Sequence, residues 1–142
     1  MKSYTDINQS KKLAEILPVE SADMYWAERY AGQVMEDGQY IVEDKPIYYL
    51  SFVKPSKYNY SQDIIKDIPC WSLAALLNIL ESEIYDEDEN TYELNIEKDG
   101  TWWNIEYRER YDESKDIETN STEELIDACY EMILKLHELN LL

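Results

Sequence analysis

The segment TYELNIEKDGTWWNIEYRER, residues 91–110, constrains the fold of this chain more than any other stretch. Apolar and polar residues alternate along its first half, which is typical of a strand with one buried face. Asp99-Gly100 is a preferred tight-turn dipeptide, because glycine adopts a positive φ without steric strain. The segment therefore predicts a β-hairpin. Its alternating apolar residues are Tyr92, Leu94 and Ile96, and on the return strand Trp103, Ile105 and Tyr107 share a face.

The end of the chain, STEELIDACYEMILKLHEL from 121 to 139, predicts an amphipathic helix of about five turns. Its apolar residues recur at steps of three and four, which places them on one face. Ser121 and Glu124 have the spacing of a capping box at the helix N-terminus. The apolar face consists of Leu125, Cys129, Met132, Leu136 and Leu139.

Two more helices are predicted upstream. TDINQSKKLAEIL predicts a short first helix, capped by Thr5 or Asp6 and followed by Pro18. WSLAALLNILESEIY, residues 71–85, is apolar nearly all round in its first half, so we expect a centrally buried helix. The apolar stripe of the first helix is Ile7, Leu13, Ile16 and Leu17.

The region between these helices is expected to be extended over residues 24–53. Within it, QYIVEDKPIYYLSFV predicts a hairpin of two β-rich runs, with the bend at Asp44, Lys45 and Pro46. Residues 54–68 are expected to form a loop with one turn at SQDIIKD.

The order of these elements indicates an α+β fold. We expect a mainly antiparallel sheet with hairpins, packed by the central buried helix and the long C-terminal amphipathic helix. A chain of 142 residues corresponds to one domain, spanning 1–142.

The charge balance restricts the choice of partner. The chain has 31 Asp and Glu against 13 Lys and Arg, a net charge of −18. This charge repels phosphate backbones and anionic membranes, so neither direct nucleic-acid binding nor membrane association is expected. A basic protein partner is compatible with it, as is the role of a nucleic-acid decoy. The alternative is that the charge only keeps the protein soluble.

The N-terminal stretch MKSYTDINQSKKLAEIL has no apolar core, so we expect no signal peptide. No run approaches the roughly 20 apolar residues that a membrane-spanning helix needs. Two cysteines without a secretory signal are typical of reduced thiols, and we expect a cytoplasmic location.

Cys70 is the strongest candidate nucleophile. It precedes the predicted central helix, and a thiol near a helix N-terminus often has a lowered pKa. A cysteine enzyme also needs a base, and the only histidine is His137, at the edge of the apolar stripe of the last helix. We therefore favour a buried structural role for Cys70, and also for Cys129 on that stripe.

No cofactor or metal site is expected. One histidine and two separated cysteines cannot form a usual zinc site, and no glycine-rich phosphate loop is present. The acidic stretch from Asp86 to Glu97 matches part of a calcium-loop register. However, Thr91 stands where that loop needs glycine, and no helix is expected to follow.

Two acidic stretches and three aromatic residues form the predicted partner-binding site. The acids would contact a basic partner, while the tyrosine and tryptophan side chains would anchor it. Trp102 and Trp103 point to opposite faces of a strand, so Trp102 either meets a partner or packs under a helix. The predicted residues are Tyr85, Asp86, Glu87, Asp88, Glu89, Trp102, Tyr111, Asp112, Glu113 and Asp116.

Three motifs resemble a family of small proteins encoded by gut anaerobes of the Bacteroides type and by their phages and mobile elements. The motifs are YTDINQSKKLAEILPVESADMYW near the start, PCWSLAALLNIL in the middle and LIDACYEMILKLHE near the end. That family has no known activity. The resemblance therefore implies a setting in a phage or mobile element, and PCWSL resembles a packing motif there.

Together these observations predict a non-catalytic protein-binding module of a phage or mobile element. It would act as an inhibitor that mimics nucleic acid towards a basic defence nuclease, or as an immunity protein or antitoxin. The alternative is a structural or assembly protein of such an element, which would form a homo-oligomer or a stable complex. A cysteine-dependent enzyme is the least favoured hypothesis.

Overall fold

A computed structural model of the protein describes residues 1–52 and 67–142. These ranges contain three α-helices and two antiparallel sheets, which confirms the α+β fold. Short 3₁₀ turns lie at Val19–Ser21 and Glu113–Lys115. In chain order the elements are α1 (Ile7–Ala14), β1 (Met24–Val34), β2 (Tyr40–Ser51), β3 (Asp67–Cys70), α2 (Leu73–Ile79), β4 (Glu83–Tyr85), β5 (Thr91–Asp99), β6 (Trp102–Glu109), β7 (Ile117–Glu118) and α3 (Leu125–Glu138).

The predicted hairpin forms the centre of the four-stranded sheet, whose order is β4-β5-β6-β7. Asp99 pairs with Trp102, so Gly100 and Thr101 are the two central residues of the turn. Gly100 has φ +61°, as glycine does at the first position of a type II′ turn. The prediction of the hairpin is confirmed, although the turn is centred one residue later than the Asp99-Gly100 dipeptide.

The second hairpin differs from its prediction. β2 continues as a strand through Asp44, Lys45 and Pro46, with a shift of its register against β1, and the chain turns earlier, between β1 and β2. Gly38 in that turn has φ +84°. Pro46 is tolerated because β2 lies at an edge of the sheet β2-β1-β3, where a missing N–H costs little.

The prediction of a loop over residues 54–68 is wrong for its last two residues, because Asp67 and Ile68 belong to β3 and pair with β1. The turn predicted at SQDIIKD lies almost wholly outside the described residues.

The structure has the predicted N-cap of α1, but it differs from the predicted extent and burial of α2. α1 has the expected N-cap, since Asp6 accepts a hydrogen bond from the backbone N–H of Gln9 at 2.8 Å. α2 ends at Ile79, and the remainder of its predicted range forms β4. One side of α2 is exposed at Ala74, so this helix packs through one face.

The capping box predicted for α3 is wrong. Ser121 instead donates a hydrogen bond to Asn104, and Thr122 pairs with Trp103 of β6 through two backbone hydrogen bonds. This pairing holds the backbone extended, so α3 begins only at Leu125 and has about four turns. Leu139, predicted on the apolar face, is 44% exposed.

The main hydrophobic core lies between the inner face of the four-stranded sheet and the helices. The inner face contributes Ile105 and Tyr107, which are 2% and 0% exposed, and α3 packs on it through Met132. Trp71 is also completely buried, and its indole N–H donates to Ser21 Oγ at 2.9 Å. In the described part of the chain, no helix is both long and apolar enough to span a bilayer.

Candidate functional site

Cys70 lies in a buried polar cluster and not at an accessible helix terminus. Its side chain is 0% exposed, and its Sγ lies 3.6 Å from Thr5 Oγ1 and 3.4 Å from Thr5 O. Thr5 Oγ1 also lies 2.7 Å from Ser10 Oγ, and it accepts a hydrogen bond from the Trp71 N–H at 3.1 Å. Burial raises the pKa of the Cys70 thiol, which disfavours the thiolate.

Cys129 is equally inaccessible. It is 0% exposed on α3, and burial raises the pKa of its thiol to about 12. His137 lies about two helical turns further along the chain, exposed at the C-terminal end of α3. Both thiols thus occupy packing positions, as PCWSL and the apolar stripe of α3 indicate.

The first acidic stretch forms a tight loop between β4 and β5 that is organised by Asp86. Asp86 Oδ1 accepts hydrogen bonds from the backbone N–H groups of Asp88 and Asn90, at 3.0 and 2.9 Å. Asp86 Oδ2 accepts from Asn90 Nδ2 at 2.8 Å and from the Tyr92 hydroxyl at 3.0 Å. These bonds, led by that from the Asn90 side chain, lower the pKa of Asp86. Asp86 therefore holds the loop together, whereas Glu87, Asp88 and Glu89 point their charges to solvent.

The second acidic stretch follows β6 and is built in a similar way. Glu109 is 7% exposed, and its carboxylate accepts hydrogen bonds from the backbone N–H groups of Tyr111 and Asp112. The backbone N–H of Glu109 in turn donates to Asp116 Oδ1 at 2.8 Å. Asp112 accepts from Ser114, and this side-chain hydrogen bond lowers the pKa of Asp112. Glu109 is a supporting residue that the sequence pattern did not identify.

The two acidic stretches meet at one end of the four-stranded sheet, which we call the acidic end (residues 85–90 and 110–116). Thr91 opens β5 next to the last residues of β6, and its carbonyl accepts a hydrogen bond from Arg110 N at 2.9 Å. Lys115 Nζ donates to Asn90 Oδ1 at 3.2 Å across the gap between the two segments. Tyr85 and Tyr111 are 61% and 88% exposed there. Nine of the ten predicted site residues are therefore grouped together.

Trp102 is the tenth residue, and it lies elsewhere. It pairs with Asp99 at the start of β6, seven residues from Glu109, which corresponds to about 23 Å along the strand. Its side chain is 47% exposed. Trp102 therefore does not lie beside Tyr111 and the first acidic stretch.

A polar sheet face connects Trp102 with the acidic end. Arg110 Nη2 donates to Glu83 Oε2 at 3.0 Å and to Glu93 Oε1 at 2.7 Å. Further along, Glu106 accepts from Arg108 and, at 3.0 Å, from Asn95 Nδ2. A cavity of about 600 Å³ opens where this face meets the acidic end, and its lining includes Arg108, Arg110, Tyr111 and Asp112.

Glu106, Asp116 and Glu118 form a carboxylate group that the sequence did not reveal. One oxygen from each lies within 4.8 Å of the others. Carboxylate oxygens are the ligands that hard divalent cations prefer. The three residues come from β6, the following loop and β7, so no local spacing indicates the group. Asp116 and Glu106 are already hydrogen-bonded within the protein.

No known protein family, curated protein sequence or solved structure significantly matches this chain.

Proposed function

We propose that this protein is a non-catalytic module that binds a basic protein through its acidic end. The observation that carries the proposal is that two acidic stretches, far apart in sequence, come together there. The group contains seven of the predicted carboxylates, whereas Arg110 and Lys115 are the basic residues of the same segments. Such a concentration of charge speeds the encounter with a positively charged surface and orients it.

The side chains at the acidic end are suited to contact a partner. Loop geometry is maintained by the carboxylates of Asp86, Glu109, Asp112 and Asp116, so the exposed carboxylates of the remaining acids do not have to hold the fold. Tyr85 and Tyr111 add large exposed aromatic surfaces, which are frequent anchors in protein interfaces. This division between supporting and exposed residues favours a binding role over a merely solubilising one.

Within this class, we propose that the partner is a basic nuclease or toxin. The protein would then be an inhibitor presenting carboxylates where phosphates bind, or an immunity protein or antitoxin. The setting in a phage or mobile element rests on the resemblance of the three motifs. The burial of Cys70 and Cys129 supports a non-catalytic role and accords with reduced thiols in a cytoplasm.

Affinity capture with matched variants tests this proposal. The wild-type chain is immobilised and exposed to host lysate at low and at high salt, and captured proteins are identified by mass spectrometry. A binding-site variant carries Glu87→Gln, Asp88→Asn and Glu113→Gln, all exposed positions of the acidic end. A control variant carries Glu123→Gln, Glu131→Gln and Glu138→Gln, which are exposed elsewhere and remove the same charge.

We expect one basic protein to be captured by the wild type and the control, and to be lost with the binding-site variant or at high salt. Equal capture by both variants would mean that the acidic end has no special role. Circular dichroism of each variant confirms that folding is retained.

A structural or assembly protein is the second candidate, and the β1–β2 hairpin favours it. Within residues 1–52 and 67–142, β2 is an edge strand of twelve residues, and it carries the exposed side chains of Ile41, Ile47 and Tyr49. Exposed edge strands with apolar side chains pair readily with other chains. Sedimentation analysis should then find a defined oligomer that Ile47→Lys converts to a monomer. A wild-type monomer at all concentrations would exclude self-assembly.

A further inference from the structure

The outer face of the four-stranded sheet continues from the acidic end towards Trp102. We propose that this outer face docks the same basic partner, which carries Arg and Lys side chains across the sheet as far as Trp102. This inference rests on the proposed function and extends the contact beyond the predicted loops.

The pairing of the strands determines which residues belong to the outer face. Alternate residues share a face, and directly paired residues lie on the same side. Along one strand, neighbouring positions of this face are about 6.7 Å apart, and neighbouring strands are about 4.8 Å apart. The outer face therefore consists of Glu83, Tyr85, Thr91, Glu93, Asn95, Glu97, Asp99, Trp102, Asn104, Glu106, Arg108 and Glu118.

The charges of this face are unevenly compensated. Arg110 and Arg108 neutralise the part near the acidic end, through their ion pairs with Glu83, Glu93 and Glu106. The remaining acids are Glu97, Asp99 and Glu118, and their side chains make no hydrogen bond or ion pair within the described residues 1–52 and 67–142. Uncompensated negative charge thus lies on the half of the outer face that runs from Glu118 to the corner where Trp102 stands, beyond the neutralised part next to the acidic end.

The occupant is a basic protein surface because charge complementarity requires one. A second copy of this chain would bring acids against acids, and like-charge contact is strongly unfavourable. The face is also large enough for such a contact. β5 and β6 give this face a length of about 30 Å, and the short strands β4 and β7 widen it locally. The acidic end adds to this area, towards the roughly 800 Å² that each partner contributes in a standard interface.

The aromatic residues lie where an interface needs anchors. Tyr85 and Tyr111 stand at the acidic end, and the half-exposed Trp102 stands about 23 Å away at the opposite corner. Trp and Tyr carry much of the binding energy in interfaces when a partner covers them. Loss of Trp102 should then weaken binding although it lies far from both acidic loops.

A defined probe tests the inference on the full-length chain. The probe is a synthetic peptide with arginine at every second position, titrated at low salt into ¹⁵N-labelled protein and followed by NMR. The variants are Trp102→Ala and the pair Glu97→Gln with Glu118→Gln. The matched control pair is Glu131→Gln with Glu138→Gln on the exposed side of α3, which removes the same charge.

We expect chemical-shift changes on β4–β7 and at the acidic end, and about tenfold weaker binding for Trp102→Ala and for the outer-face pair. The control pair should change the affinity less than about twofold. Equal weakening by both pairs, or no binding of the probe, would overturn the inference. Shifts confined to residues 85–90 and 110–116, with the outer-face variants unaffected, would overturn it while leaving the proposed function intact. Self-association abolished by the outer-face pair would instead assign the face to a second copy.

Discussion

The two sheets of this protein bury their residues in different ways. The four-stranded sheet has one apolar face in the main core and one charged face, and its edge strands β4 and β7 have three and two residues. The three-stranded sheet has strands of eleven and twelve residues. Among its described side chains, none on a strand belongs to the main core cluster, which Trp71 joins directly after β3. Strict alternation of apolar and polar residues produced the first arrangement. The three-stranded sheet lacks such alternation along β2, and the side chains of Ile47 and Tyr49 are therefore exposed.

The difference teaches that the two sheets are stabilised by different contacts. The four-stranded sheet is held by packing of its inner face against α3. The three-stranded sheet is joined to the rest through the N-terminal segment, where the Trp26 indole N–H donates to Thr5 O at 3.0 Å and the Tyr4 and Trp26 rings meet edge to face. Four sets of measurements would break or sharpen this comparison.

The largest effect is expected from the same substitution made in each sheet. Ile105→Ala removes a side chain that is 2% exposed in the core, and it should lower the free energy of unfolding by about 2–5 kcal/mol. Ile47→Ala removes one that is 41% exposed, and it should cost below about 1 kcal/mol. Urea unfolding measures both changes in the free energy of unfolding, provided that the m-value of each variant equals that of the wild type. Similar losses for the two variants would show that both sheets share one core.

The next effect concerns the attachment of the three-stranded sheet. Thr5→Val keeps the side-chain shape but removes the acceptor of the buried Trp71 N–H and the contact with Ser10 Oγ. An unsatisfied buried donor costs about 1–3 kcal/mol. Hydrogen exchange should then show faster opening of β1 and β3 than of β5 and β6. Unchanged hydrogen exchange in β1 would contradict the role given to Thr5. The control variant is Thr101→Val, which makes the same substitution at an exposed turn.

A smaller effect is expected at the two hairpin turns. Gly100 and Gly38 both have positive φ, and a Cβ at either position would meet no atom within 4 Å. Alanine therefore introduces only backbone strain, about 1–2 kcal/mol. Gly100→Ala should reduce global stability by that amount. Gly38→Ala should reduce it less, because β3 pairs only with residues 24–27 of β1 and the far end of that hairpin opens locally. Equal thermal shifts would mean that both hairpins unfold in one step.

The last effects are those of pH on the loop between β4 and β5, and they are confined to the extremes of the pH range. Burial, and then the hydrogen bond to Asp86, raise the pKa of Tyr92 to about 12. Because the unfolded tyrosine titrates near pH 10, stability should be complete below about pH 10 and fall as the pH rises towards 12. The lowered pKa of Asp86 acts at the other extreme. Its contribution should be present above about pH 4 and disappear as the pH falls through the folded pKa.

Asp86→Asn separates the two causes of the Tyr92 shift. The variant keeps the burial but removes the negative charge, so the pKa of Tyr92 should fall below its wild-type value while remaining above that of a free tyrosine. Ring ¹³C NMR shifts follow the titration of this one residue. A Tyr92 pKa that is the same in both proteins would show that burial alone causes the shift.

Sequence patterns correctly predicted the elements that depend on residues close together in the chain. Asp6 caps α1, Gly100 turns the hairpin, and the apolar stripe of α3 lies in the core at Cys129, Met132 and Leu136. Asp37-Gly38 is the same dipeptide as Asp99-Gly100 and marks the turn between β1 and β2. This dipeptide could have located the turn correctly. Pro46 did not require the turn to lie at residues 44–46, because proline is excluded from central strands but tolerated in edge strands.

The candidate site was predictable only in part. Exposed carboxylates at Glu87, Asp88 and Glu113 follow from composition and from the polar character of loops. The support from Glu109 and the position of Trp102 relative to Tyr111 depend on which strands pair, and sequence separation does not reveal this. Ser121 was assigned to a cap because its spacing to Glu124 fits one, but pairing of Thr122 with Trp103 took precedence.

By itself, the sequence determined the α+β class, the β5–β6 hairpin, the helical C-terminus and the excess of negative charge. These properties arise from interactions between residues close in the chain, or from composition alone. Only the tertiary structure decided that the two acidic stretches share one end of a sheet, that Trp102 stands at the opposite corner, and that Cys70 is sealed beside Thr5. Each of these depends on contacts between distant residues, which form when the apolar faces of separate elements pack together and which no local pattern encodes.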